Sequence, residues 1–232
     1  MLIFQKSTCN FHKHVWVFNV FATVILLPFS NLLVKMSCAT IKDDPIAEAE
    51  PTAEENAFRL LDPRFLATPG YADQCKLTAI DMAKHAKDGL LMSLELLDNF
   101  DADKAKKVKE LEDLVDRYED ELGSYMVKLS HAPLSKYDNH TISLLLHSIG
   151  DLERISDHSM NILSAAEEMH EKGMVFSNDG KAELKVFVDA VREILDLTVS
   201  AFEKNDIKRA AFVEPLEEVV DDLNTMVKAN HI

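Results

Sequence analysis

We predict an all-α protein, in which one N-terminal transmembrane helix is followed by an antiparallel helical bundle. Only 6 glycines and 7 prolines occur in 232 residues, and a chain so poor in helix breakers favours long helices over sheets. An uncharged apolar run lies near the N-terminus. Beyond about residue 70, apolar residues recur three and four positions apart, which is the spacing of helices that bury one face.

The uncharged run covers residues 15–34. Twenty residues at 1.5 Å each span about 30 Å, which matches the thickness of a bilayer core. Trp16 and Lys35 lie at the two ends of the run, where interfacial anchors belong. We therefore expect residues 1–36 to form a transmembrane segment in contact with the lipid membrane. A signal peptide and a buried helix are the alternatives.

The formal charge of −15 is unevenly distributed along the chain. Residues 1–36 contain three lysines and no acid, a charge of +3, which leaves −18 for the remainder. A body so acidic repels nucleic acid and attracts cations, so we expect no nucleic-acid partner. The three cysteines are an odd and widely spaced set, which is not the pattern of a disulfide framework.

Residues 37–70 are polar, acidic and rich in proline, and we interpret them as a linker. Residues 71–232 form the predicted bundle, in which we expect five helices. Their predicted bounds are about 72–98, 102–130, 137–172 and 178–204, with a fifth helix from Ile207 toward the C-terminus. In the first helix we expect Leu77, Ile80, Met82, Leu90, Leu94 and Leu97 to face inward, and in the second Val108, Leu111, Val115, Leu122, Met126 and Leu129.

An internal repeat appears when the chain is shifted by 105 residues without a gap. The LEDLVD segment at 111–116 then falls on LEEVVD at 216–221. The match relates the first two helices to the fourth and fifth, so the unit is a three-helix unit used twice. The third helix of the second unit would recur near residues 242–277. We therefore expect this last helix to be missing and the second unit to expose an unpartnered apolar groove.

Three pairs of carboxylates recur at i and i+4, which places both members of a pair on one helix face. Like charges at this spacing repel by roughly 0.2–0.5 kcal/mol per pair, and a hard divalent or trivalent cation would remove that repulsion. We predict that these carboxylates bind metal ions, with magnesium, manganese, iron or calcium all suited to oxygen ligands. A solvated acidic face is the alternative. The six candidate ligands are Glu112, Asp116, Glu153, Asp157, Glu217 and Asp221.

Several segments resemble known families. The run LLLHSIGDLERISDHSMNI at 144–162 resembles the signature helix of PhoU-like domains, and LEDLVD and LEEVVD resemble its companion helix. The segment at 10–36 is similar to the last membrane helix of bacterial sodium/phosphate cotransporter family proteins. Residues 61–83 resemble the lead-in of those proteins to a C-terminal PhoU-like domain.

This resemblance implies the C-terminal part of a sodium-dependent inorganic phosphate transporter in the bacterial inner membrane. It implies a PhoU-like regulatory domain on the cytoplasmic side, which would bind metal and contact the rest of the transporter or a signalling partner. By position, Glu112, Asp116, Glu153 and Asp157 would serve a first metal site, and Glu217 and Asp221 half of a second. The glutamine- and serine-rich transport segments of the family are absent, so we do not expect this chain alone to transport sodium or phosphate.

Two other functions remain open at this stage. A membrane-anchored PhoU-type regulator of phosphate-uptake signalling would need no transport domain, and a homodimer is one form that it could take. A metal-dependent enzyme is the third hypothesis. We expect no enzymatic activity, because the chain has no nucleophile–base arrangement, no P-loop and no glycine-rich phosphate cradle.

Overall fold

The computed structural model describes Phe58, Leu61 and residues 70–230. All regular structure within these residues is helical, as predicted. The helices are α1 (Tyr71–Leu96), α2 (Ala102–Ser130), α3 (Lys136–Glu171), α4 (Asn178–Lys204), α5 (Ile207–Ala210) and α6 (Val213–Asn230). None of the described helices has the length and apolar character needed to cross a membrane. The transmembrane helix predicted at 15–34 lies outside the described residues.

Helices α1, α2 and α3 pack against one another as a three-helix bundle. The chain reverses after α1 and again after α2: Lys104 near the start of α2 bonds to Glu95 near the end of α1, and Lys109 bonds to Glu167 near the end of α3. Helices α1 and α3 therefore run in the same direction. The inward positions predicted for α2 are confirmed, and Val108, Leu111, Val115, Leu122, Met126 and Leu129 are all buried.

The prediction for α1 was wrong at Leu77, whose side chain is 56% exposed. The buried face of α1 is made largely of small side chains instead, namely Ala72, Cys75, Ala79, Ala83, Ala86 and Gly89. This helix contacts α2, α3 and α4, and small residues allow several neighbours to approach its backbone. Burial raises the pKa of the Cys75 thiol to about 12, so this cysteine is a packing residue rather than a reactive one.

Helix α4 returns antiparallel along α1 and is joined by ion pairs to three residues of α1 and to Asp98, which follows α1. The pairs are Lys84–Glu203 at 2.8 Å, Lys87–Asp196 at 2.9 Å, Glu95–Arg192 at 3.3 Å and Asp98–Lys181 at 2.7 Å. Only Gly180 and Ala201 of α4 are buried. Phe202 of α4 packs against the core of the bundle. The rest of the attachment is largely polar, and exposed ion pairs each contribute little.

The fifth predicted helix is interrupted, which corrects the sequence prediction. It comprises the short α5 and the longer α6, with Ala211 and Phe212 between them. Pro215 explains the break, because its ring lacks an N–H and would clash with the carbonyl four residues earlier, that of Ala211. In the observed structure Pro215 lies in the first turn of α6, where a helix needs no N–H donor.

Candidate functional site

Helices α2 and α3 form the acidic face of the bundle, and the local sequence defines where each helix begins. The side chain of Asp101 accepts a hydrogen bond from the Lys104 backbone N–H at 2.8 Å, which caps α2. The Ser135 hydroxyl accepts one from the Asp138 N–H at 3.1 Å, which caps α3. Such caps satisfy N–H groups that the first turn of a helix leaves unpaired. They set where each helix starts.

Four of the six predicted ligands meet across this face. Glu112 and Asp116 lie on α2 next to the buried Leu111 and Val115, while Glu153 and Asp157 lie on α3. Glu112 and Glu153 are half-buried, and Asp116 and Asp157 are exposed. The four therefore occupy the border between the core and solvent, where burial begins to penalise a negative charge.

Electrostatics shows that the two pairs act on each other. Burial raises the pKa of Glu112, and the charges of Asp116, Asp113, Asp157 and Glu153 raise it further. The pKa of Asp116 is raised by burial and then by Asp157 on the other helix.

The pKa of Glu153 is raised in the same way, by burial first, then by Asp157 and by Asp116 across the interface. Each shift has the direction expected for carboxylates that repel one another. At the α2–α3 interface, burial and mutual repulsion therefore make the charged form of these carboxylates less favourable.

The cations nearest in sequence are directed elsewhere. Arg117 lies over the ring of Phe58, 4.1 Å from its centroid, and Arg154 pairs with Asp151 at 3.7 Å. Among the described residues, none of Glu112, Asp116, Glu153 and Asp157 takes part in an ion pair. The protein supplies carboxylates here without a matching positive charge.

Three further carboxylates, which the sequence pattern did not identify, contribute to this negative field. Asp113 and Asp120 act on Asp116, and Glu119 acts on Glu153 across the interface. Asp113, Asp116 and Asp120 also line an open depression on the outer side of α2. Asp116 and Asp120 are again four positions apart. A search for any two acids at this spacing, rather than for a Glu followed by an Asp, would have found Asp120.

A hard cation suits these residues by charge and by donor type, because carboxylate oxygens without a counter-ion are what such ions bind. In the described part of the chain, however, no three His, Cys, Asp or Glu side chains converge closely enough to hold a metal ion. The four carboxylates share a face but do not form an assembled coordination shell.

The third predicted pair is not part of this face. Glu217 and Asp221 lie on α6, and both are exposed. Helix α6 packs against α4 and α5 rather than joining the α2–α3 interface. The structure therefore brings together Glu112, Asp116, Glu153 and Asp157 and leaves Glu217 and Asp221 apart.

Histidines near the site make no visible contribution to it. His158 and His147 on α3 are both exposed. His170, in the last turn of α3, stacks on Phe100 with ring centroids 4.3 Å apart. The candidate site is thus formed by carboxylates.

Comparison with known proteins bears on this same region. No curated protein and no solved structure is significantly similar to the chain. Residues 79–166 match the model of the PhoU domain. The match runs from within α1 to near the end of α3 and includes the four carboxylates that face one another. The three-helix bundle of this chain is therefore similar to a PhoU domain over residues 79–166.

Proposed function

We propose that this chain is the C-terminal part of a sodium-dependent phosphate transporter, in which the PhoU domain is a cytoplasmic regulatory module that binds metal. The presence of a PhoU domain indicates a role in phosphate homeostasis or its regulation. The apolar run at 15–34 supports a membrane-attached form. The absence of a nucleophile–base arrangement from the sequence supports a binding role rather than an enzymatic one.

One observation carries the metal-binding part of the proposal. Four carboxylates meet across α2 and α3, and the pKa of three of them is raised by burial and by mutual repulsion. Glu112 and Asp116 would hold the ion from α2, and Glu153 and Asp157 from α3. A bound divalent or trivalent cation would supply the positive charge that this interface lacks. Because the ligands come from two helices, metal occupancy would then change how firmly α2 and α3 are held together.

Elemental analysis tests this part directly. We expect the purified full chain to retain metal, and a variant with Glu153→Gln and Asp157→Asn to lose at least half of it, because one helix then offers no carboxylate. The matched control is Asp189→Asn with Glu193→Gln, since these exposed acids have the same i, i+4 spacing on α4. Metal absent from the parent chain, or lost equally in the control, would reduce the site to a solvated acidic face.

The transporter part of the proposal needs a separate test. The genomic region directly upstream of this chain should encode further membrane helices with the glutamine- and serine-rich transport segments. If it encodes none, the alternative gains support, namely a membrane-anchored PhoU-type regulator that acts on a phosphate-uptake partner. The single apolar run at 15–34 is compatible with that alternative.

A further inference from the structure

Helices α4 and α6 form a hairpin, and the turn that joins them is basic in an otherwise acidic protein. The turn comprises residues 204–212, which contain three basic residues and one acid, a charge of +2, whereas the whole chain has a charge of −15. Asn205 ends α4 in the left-handed conformation, with φ 52°, which asparagine can adopt at helix ends. Asp206, the acid of the turn, caps α5, because its side chain accepts a hydrogen bond from the Arg209 backbone N–H at 3.1 Å. The basic side chains are all exposed, namely Lys204, Lys208 and Arg209.

The internal repeat shows that Arg209 lacks the acidic partner that its counterpart has in the first unit. At a shift of 105 residues, Arg209 corresponds to Lys104, and Ser200 corresponds to Glu95. Lys104 pairs with the Glu95 carboxylate at 2.8 Å, whereas Arg209 donates a hydrogen bond to the Ser200 hydroxyl at 3.1 Å. A hydroxyl carries no charge, so it does not neutralise the guanidinium. Across the described residues, none of the three bases of the turn forms an ion pair.

The same turn exposes two large apolar side chains. Ile207 is 81% exposed and Phe212 is 65% exposed. Their counterparts in the first unit are Ala102 and Lys107, a small residue and a charged one, so the exposed apolar area is a feature of the second unit. Lysine and arginine beside exposed aliphatic and aromatic side chains are typical of segments that lie on anionic lipid surfaces.

The surroundings of the turn do not cancel its charge. A depression between α1, α4 and α5 borders the turn and is lined by four basic and three acidic side chains. Two of these acids are already paired, Glu203 with Lys84 at 2.8 Å and Asp196 with Lys87 at 2.9 Å. Helix α4 packs mainly on α1, whereas the acidic face lies on α2 and α3. The turn is therefore a positive patch that is distinct from the acidic face.

We propose that residues 204–212 dock on a membrane surface that contains anionic lipids. The three bases contact the head groups, whose negative charge they complement. Ile207 and Phe212 enter the boundary between head groups and acyl chains, which removes their apolar area from water. Side chains this exposed at the end of a hairpin suit a fluid surface, which needs no matching pocket, better than an acidic protein. This docking depends neither on metal at the α2–α3 face nor on phosphate transport.

A tryptophan placed in the turn tests its contact with lipid. Trp16 is the one tryptophan of the chain, so the full chain with Trp16→Phe and Phe212→Trp carries its only tryptophan in the turn. Brominated phospholipids quench tryptophan on contact, so the signal is local and does not depend on how residues 15–34 interact with the vesicle. With a chelator present, we expect quenching in vesicles of phosphatidylcholine and phosphatidylglycerol at about a 7:3 ratio, and little in phosphatidylcholine alone. Adding about 0.5 M NaCl should weaken the quenching through screening.

Matched variants of this full chain identify the residues that make the contact. Lys208→Gln with Arg209→Gln should lower the ratio of docked to undocked turn roughly tenfold or more. Lys106→Gln with Lys107→Gln removes the same charge from exposed positions of α2 and should leave the quenching unchanged. Val219→Trp, used in place of Phe212→Trp, puts the tryptophan at a 49% exposed position of α6 outside the turn, where we expect no quenching.

Several results would overturn the proposal. These are an absence of quenching in the anionic vesicles, quenching as strong in phosphatidylcholine alone, or an equal loss of quenching in the two glutamine variants. A shift of the tryptophan emission that rises with protein concentration, without quenching by lipid, would assign the turn to a second copy of the chain. A shift caused by polyglutamate but not by anionic vesicles would assign it to an acidic protein partner.

Discussion

At the scale of single residues, the α2–α3 face carries negative charge that folding makes less favourable. The Glu112 carboxyl has a raised pKa because of burial first and of Asp116 and other acids second. For an acid, a raised native pKa means that the folded state binds the proton more tightly than the unfolded state does. The stability that the protonated Glu112 contributes to the folded state is fully present below pH 4.5, the ordinary pKa of a glutamate. This contribution is lost as the pH rises through the raised pKa of the folded state.

Neutralising this carboxyl should therefore stabilise the protein at neutral pH. We expect Glu112→Gln to raise the free energy of unfolding by roughly 0.5 kcal/mol at pH 7, the size of one like-charge pair on a helix. The gain should vanish at about pH 4, where Glu112 is largely protonated in the parent. Urea unfolding at the two pH values, with a chelator present, makes the comparison. Glu193→Gln on α4 is the control, and a gain for Glu112→Gln that persists at pH 4 would indicate packing rather than charge.

At the scale of helices, apolar periodicity was enough to predict most elements. The start of α2 and the bounds of α4 were predicted as observed, and in the structure Asp101 and Ser177 cap these helices with side-chain oxygens. Two features were not predicted. The division of the last helix follows from Pro215, a local steric effect that the apolar period hides. The exposure of Leu77 needed tertiary information, because it follows from the close packing of α1 on its small residues.

The approach of the four carboxylates could be predicted only in part. Their i, i+4 spacing shows that Glu112 and Asp116 share a face of α2, and that Glu153 and Asp157 share a face of α3. Whether the two faces meet depends on how the helices rotate and slide relative to each other, which a single sequence leaves open. The PhoU-like resemblance supplied that information, and the cross-helix effects on Glu112 and Asp116 agree with it.

Close packing of α1 leads to a prediction about Gly89, which is buried within the helix. A Cβ there would lie 3.7 Å from Leu111 Cβ and 3.7 Å from Ser159 Oγ, which is ordinary contact distance. Because glycine disfavours a helix interior relative to alanine by about 1 kcal/mol, Gly89→Ala should raise the free energy of urea unfolding by 0.5 to 1 kcal/mol, a rough range. Gly70→Ala is the contrasting variant and should lower it, since Gly70 has φ +98°. Loss of stability in Gly89→Ala would mean that α1 has no room for a methyl group.

At the scale of the whole described structure, the two repeats differ in how firmly they are built. The first is held by a buried apolar core that α1, α2 and α3 share. The second attaches to it mainly through ion pairs of α4 with α1 and with Asp98. Phe202 of α4 also packs against that core, and α6 buries no residue. Stability should therefore be uneven, with the α4–α6 hairpin opening well below the free energy at which the bundle unfolds.

Val115 and Val220 test this difference, because the repeat places the same residue at equivalent positions of α2 and α6. Val115 is fully buried, so Val115→Ala should cost about 2 kcal/mol through lost burial and a cavity. Val220 is half-buried, so Val220→Ala should cost less than about 1 kcal/mol. Native-state hydrogen exchange separates the two effects: Val115→Ala should lower the protection of α1, α2 and α3 together, and Val220→Ala only that of α4 and α6. Equal costs, or a loss of protection across both repeats from Val220→Ala, would show instead that the hairpin and the bundle unfold as one cooperative unit.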